Sequence, residues 1–390
     1  MRNSSALPPR ARILIVRLSS IGDVLHTTTV VHNLRRLAPD AEITWLASPP
    51  ASTLLETNPD IDRLLVFDRR PIDEAGAHLR LRTCWRELKK ARALLAPYTF
   101  DIALDLQGLF LTGLLTRLSK APRRIGIHER HEGNPLFMTE MAPDIPDPHK
   151  IRRYYTALAP LGFPQETLRP GPVLCLPPAL SGFAADFWAA HGIDTARPIL
   201  IVCVRTTWPD KNWPPARFGE ALRAVPEQVQ IVFTGAKGDR PFIEEAQRAI
   251  GGARPSLSIA GETGLLELAA LMKSAALLLT GDTGPLYIAE AVGTPTLSLW
   301  GPTSPAIYGP LTSGHTFIES PYPCRACCRT RCKKKNNACM AAIAPADVAE
   351  KLSEMLGRCL GGSSAVMGTF CTLLHSFVFH MMMASSPLSL

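Results

Sequence analysis

The stretch TGDTGPLYIAEAVGTPT at 280–296 sets out residue types in an order that suits the binding of an anion. An apolar run, Ala275 to Leu279, reads as a buried strand and stops at Thr280 and Gly281. Asp282, Thr283 and Gly284 make a small polar turn, and Pro285 stands where a helix takes its first residues. Leu286, Ile288, Ala289 and Val292 supply a packing face before Gly293 and Pro295 end the helix. A strand, a turn and a helix N-terminus in succession aim backbone N–H groups and a helix dipole at one point. The simpler reading is an ordinary capping turn, with Asp282 or Thr283 as the cap.

Two further loops shift the balance. RLSSIGDVLHT at 17–27 follows the apolar run 12–18; Ser19, Ser20 and Gly22 give a flexible turn with free N–H groups. Asp23 opens the next helix, where it is either a cap or a general base that accepts a proton from a hydroxyl. VRTTWPDKNWP at 204–214 offers the hydroxyls of Thr206 and Thr207 and the ammonium of Lys211. That set suits the two phosphates of a nucleotide diphosphate, on which charge builds as it leaves. Trp208 and Trp213, each followed by proline, read as braces for the loop, and Lys211 has a plainer reading as a solvated surface lysine.

These loops need strands to end where they begin. Segments 12–18, 42–47, 63–67 and 101–106 read as strands, with helical patterns at 24–38, 76–96 and 109–118 between them. A Pro-rich slack region at 142–148, a helix over 150–161 and a linker over 164–179 follow. The alternation then restarts, with strands at 198–204, 230–234, 275–280 and 296–300 and helices at 215–224, 241–250, 264–274 and 285–292. Two doubly wound α/β sheets joined by a linker place a ligand at the carboxyl ends of their strands, where all three loops lie.

Composition fits this. The chain has 390 residues, 46% of them hydrophobic, which suits two domains with sizeable cores. Its formal net charge of +8 favours acidic partners: phosphorylated sugars, nucleotides or an anionic membrane face. Nucleic acid is disfavoured, because no zinc-finger spacing or RNA-binding aromatic signature accompanies the basic residues. The polar start of the chain lacks a secretory signal pattern, and isolated cysteines such as Cys175 and Cys203 suit a reducing cytoplasm.

At this point the chain resembles a known family. RLSSIGDVLHT, DLQGL (105–109), TTWPDKNWP and DTGPLYIAEAVGTPTLSLWGPTSP are similar to the bacterial heptosyltransferases of glycosyltransferase family 9, over residues 12 to 355. The resemblance implies the GT-B arrangement, two Rossmann-like doubly wound domains facing a central cleft. Residues 1–165 would bind the acceptor and 180–355 the donor; 361–390, outside the resemblance, reads as a hydrophobic or disordered tail. It implies inverting transfer of L-glycero-D-manno-heptose from an ADP-heptose donor to a Kdo-lipid A acceptor in the inner core of lipopolysaccharide. It further implies that no metal and no cofactor take part and that the enzyme sits peripherally on the cytoplasmic face of the inner membrane.

Carried over by position, Asp23 would be the catalytic base. Thr206, Thr207 and Lys211 would hold the donor pyrophosphate, and Asp282, Thr283 and Gly284 the heptose and phosphate. Ser20, Gly22, Pro285 and Tyr287 complete the donor set; His149, Arg153 and Arg130 would face the phosphorylated acceptor. Departures are the phenol Tyr287 where the family usually has histidine, Leu111 where it has a basic residue, and Lys237 where some members place an acidic group.

Other signals weigh less. Asp60-Ile61-Asp62 could serve a metal-dependent transferase but reads as a turn before a strand. CRACCRTRCKKKNNACM at 324–340 holds enough thiols for a structural zinc, yet its spacing is irregular. Lys333 to Lys335 read as a solvated run or a contact with anionic lipid. The tail after Gly361 has no charged residue, and Ala365 to Ala384 approaches the length of a membrane span diluted by His375 and His380. Competing functions are a transferase using another nucleotide sugar, an epimerase of similar shape, and a non-catalytic nucleotide-sugar binder or basic membrane-associated scaffold.

Overall fold

Short apolar runs become strands and the amphipathic stretches between them become helices, twice over. The computed structural model describes residues 7–129, 132–252 and 254–361. The first sheet contains β1 (Arg12–Val16), β2 (Glu42–Ala47), β3 (Arg63–Val66), β4 (Ile102–Asp105), β5 (Arg123–Gly126) and β6 (Glu140–Met141). They lie in the order β3-β2-β1-β4-β5-β6, every pairing parallel. The second holds β7 (Ile199–Cys203), β8 (Gln230–Thr234), β9 (Ser256–Ser258), β10 (Leu277–Gly281), β11 (Thr296–Trp300) and β12 (His315–Glu319). Its order β12-β11-β10-β7-β8-β9, also parallel throughout, repeats the first when read from the far edge. The protein therefore has two α/β units of doubly wound type, each with a switch point beside its first strand.

Helices of the first unit are α1 (Ile21–Leu37), α2 (Arg70–Ala77), α3 (Leu81–Leu95), α4 (Phe110–Leu118) and α5 (Lys150–Tyr155). Then come α6 (Phe183–Ala190), α7 (Pro215–Leu222), α8 (Arg240–Ile250), α9 (Leu265–Lys273), α10 (Gly284–Val292), α11 (Pro305–Tyr308), α12 (Ala338–Ala341) and α13 (Pro345–Gly361). Central strands are buried on both faces: Ile13, Leu14, Ile15 and Val16 of β1 are all inaccessible to solvent, as are Leu200, Ile201 and Val202 of β7.

Two expectations needed revision. The single helix over 76–96 is two helices, because Leu79 adopts a positive φ of 52° between α2 and α3. The helix over 150–161 tightens after Tyr155 into a 3₁₀ turn that contains Pro160. The linker over 164–179 is tied to α1: Asn33 donates to the Arg169 carbonyl at 2.8 Å, and the Val173 N–H donates to Thr28 at 2.8 Å.

α7 and α8 cross where Gly219 permits it. A Cβ there would stand 2.6 Å from Cβ of Ala249 and would also meet the Ala246 carbonyl, neither of which can swing away. Gly219→Ala is expected to cost about 1–3 kcal/mol through overpacking. Thermal unfolding should then shift down by roughly 3–10 °C. An unchanged melting curve would show that the two helices slide apart freely.

Candidate active site

Each of the three loops leaves the carboxyl end of a strand. β1 delivers Arg17 to Ser20, β7 delivers residues 204–214, and β10 delivers Asp282 and Thr283 to the start of α10. Ser20 is the N-cap of α1, and its hydroxyl donates to Oδ2 of Asp23 at 2.9 Å. Arg17, 4% exposed, places Nη2 2.9 Å from the same oxygen. Tyr154 of α5 donates its phenol to Oδ1 of Asp23 at 2.7 Å, and the Arg17 guanidinium lies over the Tyr154 ring. Burial alone would raise the Asp23 carboxyl; Arg17, then Tyr154, outweigh it and hold the group well below the usual carboxylate range.

DLQGL braces this loop. Gln107 accepts the Leu18 N–H at 2.7 Å, while buried Asp105 accepts the N–H groups of Gln107 and Gly108 and a bond from Asn134. Burial raises the Asp105 carboxyl.

Across from α1, Lys211 and Asp282 form an ion pair at 2.6 Å, and the Tyr287 phenol donates to the other oxygen of Asp282 at 2.6 Å. The Lys211 ammonium also lies over the Trp208 ring, 4.2 Å from its centre. Thr206 is buried and turned inward; its hydroxyl donates to the Trp208 carbonyl and its N–H to Asn212, so it shapes the turn. Thr207 is exposed. Thr283 is the N-cap of α10 through its backbone, with Gly284 and Pro285 in the first turn. Trp213 is buried and donates to the Ile343 carbonyl, as a brace would.

The two units touch here. A Cβ on Gly22 would lie 2.5 Å from the Tyr287 ring, and one on Gly284 would lie 3.0 Å from Ile21, so both glycines let the helices approach. His26, one turn beyond Asp23, packs edge-on against Tyr287 with ring centres 4.6 Å apart. His149 caps α5, accepting the Ile151 N–H at Nδ1 and bonding the Gly309 carbonyl through Nε2 at 2.9 Å. One nitrogen caps its own helix and the other reaches the second unit, and burial lowers the pKa of its ring. Arg153 pairs with Glu129 and Asp144 and bonds the carbonyls of Ile145 and His128. The structure thus gathers Ser20, Gly22, Asp23, Lys211, Asp282 and Tyr287; it assigns His149 and Arg153 to internal bonds. Arg130 lies outside the described residues, as do the tail residues 362–390.

Sequence reading missed Arg17, Tyr154 and His26. Arg17 stood inside the quoted loop, and an arginine continuing an apolar strand was the available signal. His26 is buried and neither ring nitrogen makes a hydrogen bond. Burial pushes it down to about 4, with Asp23 pulling the other way, and burial does the same to His315. The unfolded chain protonates both near the ordinary 6.5, the folded chain only near 4. Between those values the unfolded state binds more protons, so stability falls as pH falls, by at most about 1.4 kcal/mol per pH unit for each ring. Urea midpoints are expected to drop from about pH 6.5 to about pH 5, and His26→Phe to flatten part of that drop. Equal slopes in both proteins would refute the assignment to His26.

Among the described residues no cluster of side chains is placed to hold a metal ion, and Cys324, Cys327, Cys328, Cys332 and Cys339 are free thiols. The cysteine-rich segment bonds the 204–214 loop: the Cys332 N–H donates to Asp210 and the Asn337 side chain to the Asn212 carbonyl. No helix among the described residues is long and apolar enough to cross a membrane.

A model of glycosyltransferase family 9 (heptosyltransferase) matches residues 86–338, more than half of the chain. The chain belongs to that family. It is a glycosyltransferase, and its relatives agree. Lipopolysaccharide core heptosyltransferase OpsX of Haemophilus influenzae is 28% identical over 271 residues, spanning 68% of this chain and 72% of that protein. Lipopolysaccharide heptosyltransferase 1 of Pseudomonas aeruginosa is 27% identical over 394 residues, spanning 88% and 98%. The crystal structure of a family 9 glycosyltransferase from Veillonella parvula superposes with a TM-score of 0.74 at 26% identity, covering 90% of this chain and 99% of that one. Escherichia coli ADP-heptose lps heptosyltransferase II shares the fold at a TM-score of 0.69 and 20% identity, covering 89% and 99%.

Proposed function

We propose that this glycosyltransferase moves a heptose from ADP-L-glycero-D-manno-heptose to the Kdo or heptose inner core of lipopolysaccharide, with inversion and without a metal. The reading takes the two units as a GT-B pair, with residues 1–165 holding the acceptor and 180–355 the donor. The supporting observation is the juxtaposition of one carboxylate, Asp23, with the Lys211–Asp282–Tyr287 group on the facing unit. The acceptor hydroxyl attacks the anomeric carbon as the bond to the diphosphate oxygen breaks, and its proton passes to Asp23. Arg17 and Tyr154 make Asp23 a weak base, so proton transfer comes late, once the forming bond has made the hydroxyl acidic. Lys211, with the first turn of α10, takes up the charge that grows on the leaving diphosphate. With Asp282 engaged by Lys211 and Tyr287 and not serving as a nucleophile, a single displacement gives inversion.

The working place is the cytoplasmic face of the inner membrane, where a glycolipid acceptor presents its sugar. The test is incubation of the full chain with ADP-heptose and Kdo-lipid A, following ADP release and product mass with and without chelator. UDP-sugars serve as competing donors. Transfer from a UDP-sugar alone, a chelator-sensitive rate, or retained anomeric configuration would each overturn the corresponding part.

A further inference from the structure

Seven large apolar side chains stand exposed among the described residues, and six of them belong to the first unit: Val66, Leu79, Leu81, Trp85, Phe110 and Leu136. Leu79, Leu81 and Trp85 are 82%, 75% and 63% exposed and Leu136 84%, values that no core position explains. Topology puts these residues together. Val66 ends β3, α2 leaves the same strand end four residues later, and α3 packs back against α2 on its way to the start of β4. Leu79 and Leu81, at the α2–α3 link, therefore lie toward the carboxyl edge of the sheet. Phe110 opens α4 after β4, and Leu136 follows β5 in a 3₁₀ turn whose Phe137 packs edge-on against Phe110. That edge is the one that carries Asp23.

Charge accompanies the apolar residues. Between 78 and 92 the basic side chains are Arg80, Arg82, Arg86, Lys89, Lys90 and Arg92, against the single acid Glu87. Glu87 is buried and already holds Arg86 and Lys90. Leu81 and Trp85 are four residues apart and share one side of α3, and the Lys89 ammonium lies over the Trp85 ring. An exposed tryptophan and leucines ringed by cations match the headgroup layer of an anionic bilayer, apolar below and negative above. The Lys333–Lys335 run has the charge without the exposed apolar side chains.

We propose that the α2–α3 link, with the neighbouring tips at Phe110 and Leu136, is the face that rests on an anionic lipid surface. It holds the Asp23 edge against the layer from which a lipid-linked acceptor projects, and in that respect it rests on the function proposed above. Cations near the surface each multiply partitioning about fivefold, and the apolar side chains fix the depth.

The test uses the full chain and vesicles that contain no acceptor, so that lipid contact and transfer are read separately. Phosphatidylethanolamine vesicles containing phosphatidylglycerol are expected to sediment the protein, and neutral phosphatidylcholine vesicles and high salt to release it. Trp85 is the exposed tryptophan, so its emission should shift to the blue on binding, and Trp85→Phe should abolish the shift. Leu81→Ser with Trp85→Ser should weaken vesicle binding at least about tenfold, with unchanged thermal stability and unchanged turnover of a delipidated acceptor. Lys333→Ser with Lys335→Ser should bind as the parent does. The proposal fails if the parent ignores anionic vesicles, if the Leu81/Trp85 variant binds them undiminished, or if that variant turns a dimer into a monomer. Transfer without vesicle binding would overturn this surface alone; vesicle binding without transfer would overturn the proposed reaction alone.

Discussion

Asp23→Asn is expected to slow turnover roughly a hundred- to ten-thousand-fold while the donor dissociation constant moves by less than about twofold. The carboxylate accepts bonds from Arg17, Tyr154 and Ser20, and none from the loops at 204–214 and 280–284 that the proposal gives to the donor. Donor binding therefore survives its loss, and proton removal does not. The substitution also leaves Arg17, buried at the end of β1, without its counter-charge, which costs on the order of 3 kcal/mol. Rates must accordingly be compared well below the variant's unfolding temperature. Folded Asp23→Asn protein that retains a tenth of parent turnover would eliminate Asp23 as the base.

Lys211→Ala should act on the other substrate. On the proposed reading its ammonium faces the donor diphosphate, and its loss is expected to lower kcat/KM for the donor about a hundred- to a thousandfold. Affinity for a nucleoside diphosphate alone should fall with it. The rival account is that Lys211 merely neutralises Asp282, its partner at 2.6 Å. On that account Lys211→Met combined with Asp282→Asn restores activity, since neither charge is then left unmatched. Persisting loss in the double variant supports a direct role on phosphate. Lys211→Arg should rescue only in part, because a planar fork on a different stem does not return the charge to the same point.

Much of this was legible in the order of residues. β1, β7 and β10 are apolar runs with nothing to mistake, and each is followed by small or polar residues and then a helix. The loops that carry Asp23, Lys211 and Asp282 were therefore placed at strand ends by local pattern alone. β5 (Arg-Arg-Ile-Gly) and β6 (Glu-Met) were not, since their pairing with β4 and with each other, not their own apolarity, makes them strands. β12 escaped for the same reason, a polar edge strand lying beside β11.

The chemistry of the site was harder to read than its location. Tyr154 reaches Asp23 from 131 residues away, and His149 reaches Gly309 from 160 away. No spacing rule connects such pairs. That Asp282 would be held by Lys211 and Tyr287 was equally invisible, because a tyrosine five residues on reads first as packing.

That last grouping bears on how the cycle ends. An ammonium left bare after chemistry would cling to the spent nucleotide and slow its departure. Here Asp282 stands ready to reclaim the Lys211 charge, with the Tyr287 hydroxyl steadying the carboxylate meanwhile. On the proposed reaction, escape of the by-product and recovery of the internal pair are then one exchange of counter-ions, and a grip that aids bond cleavage need not become a trap.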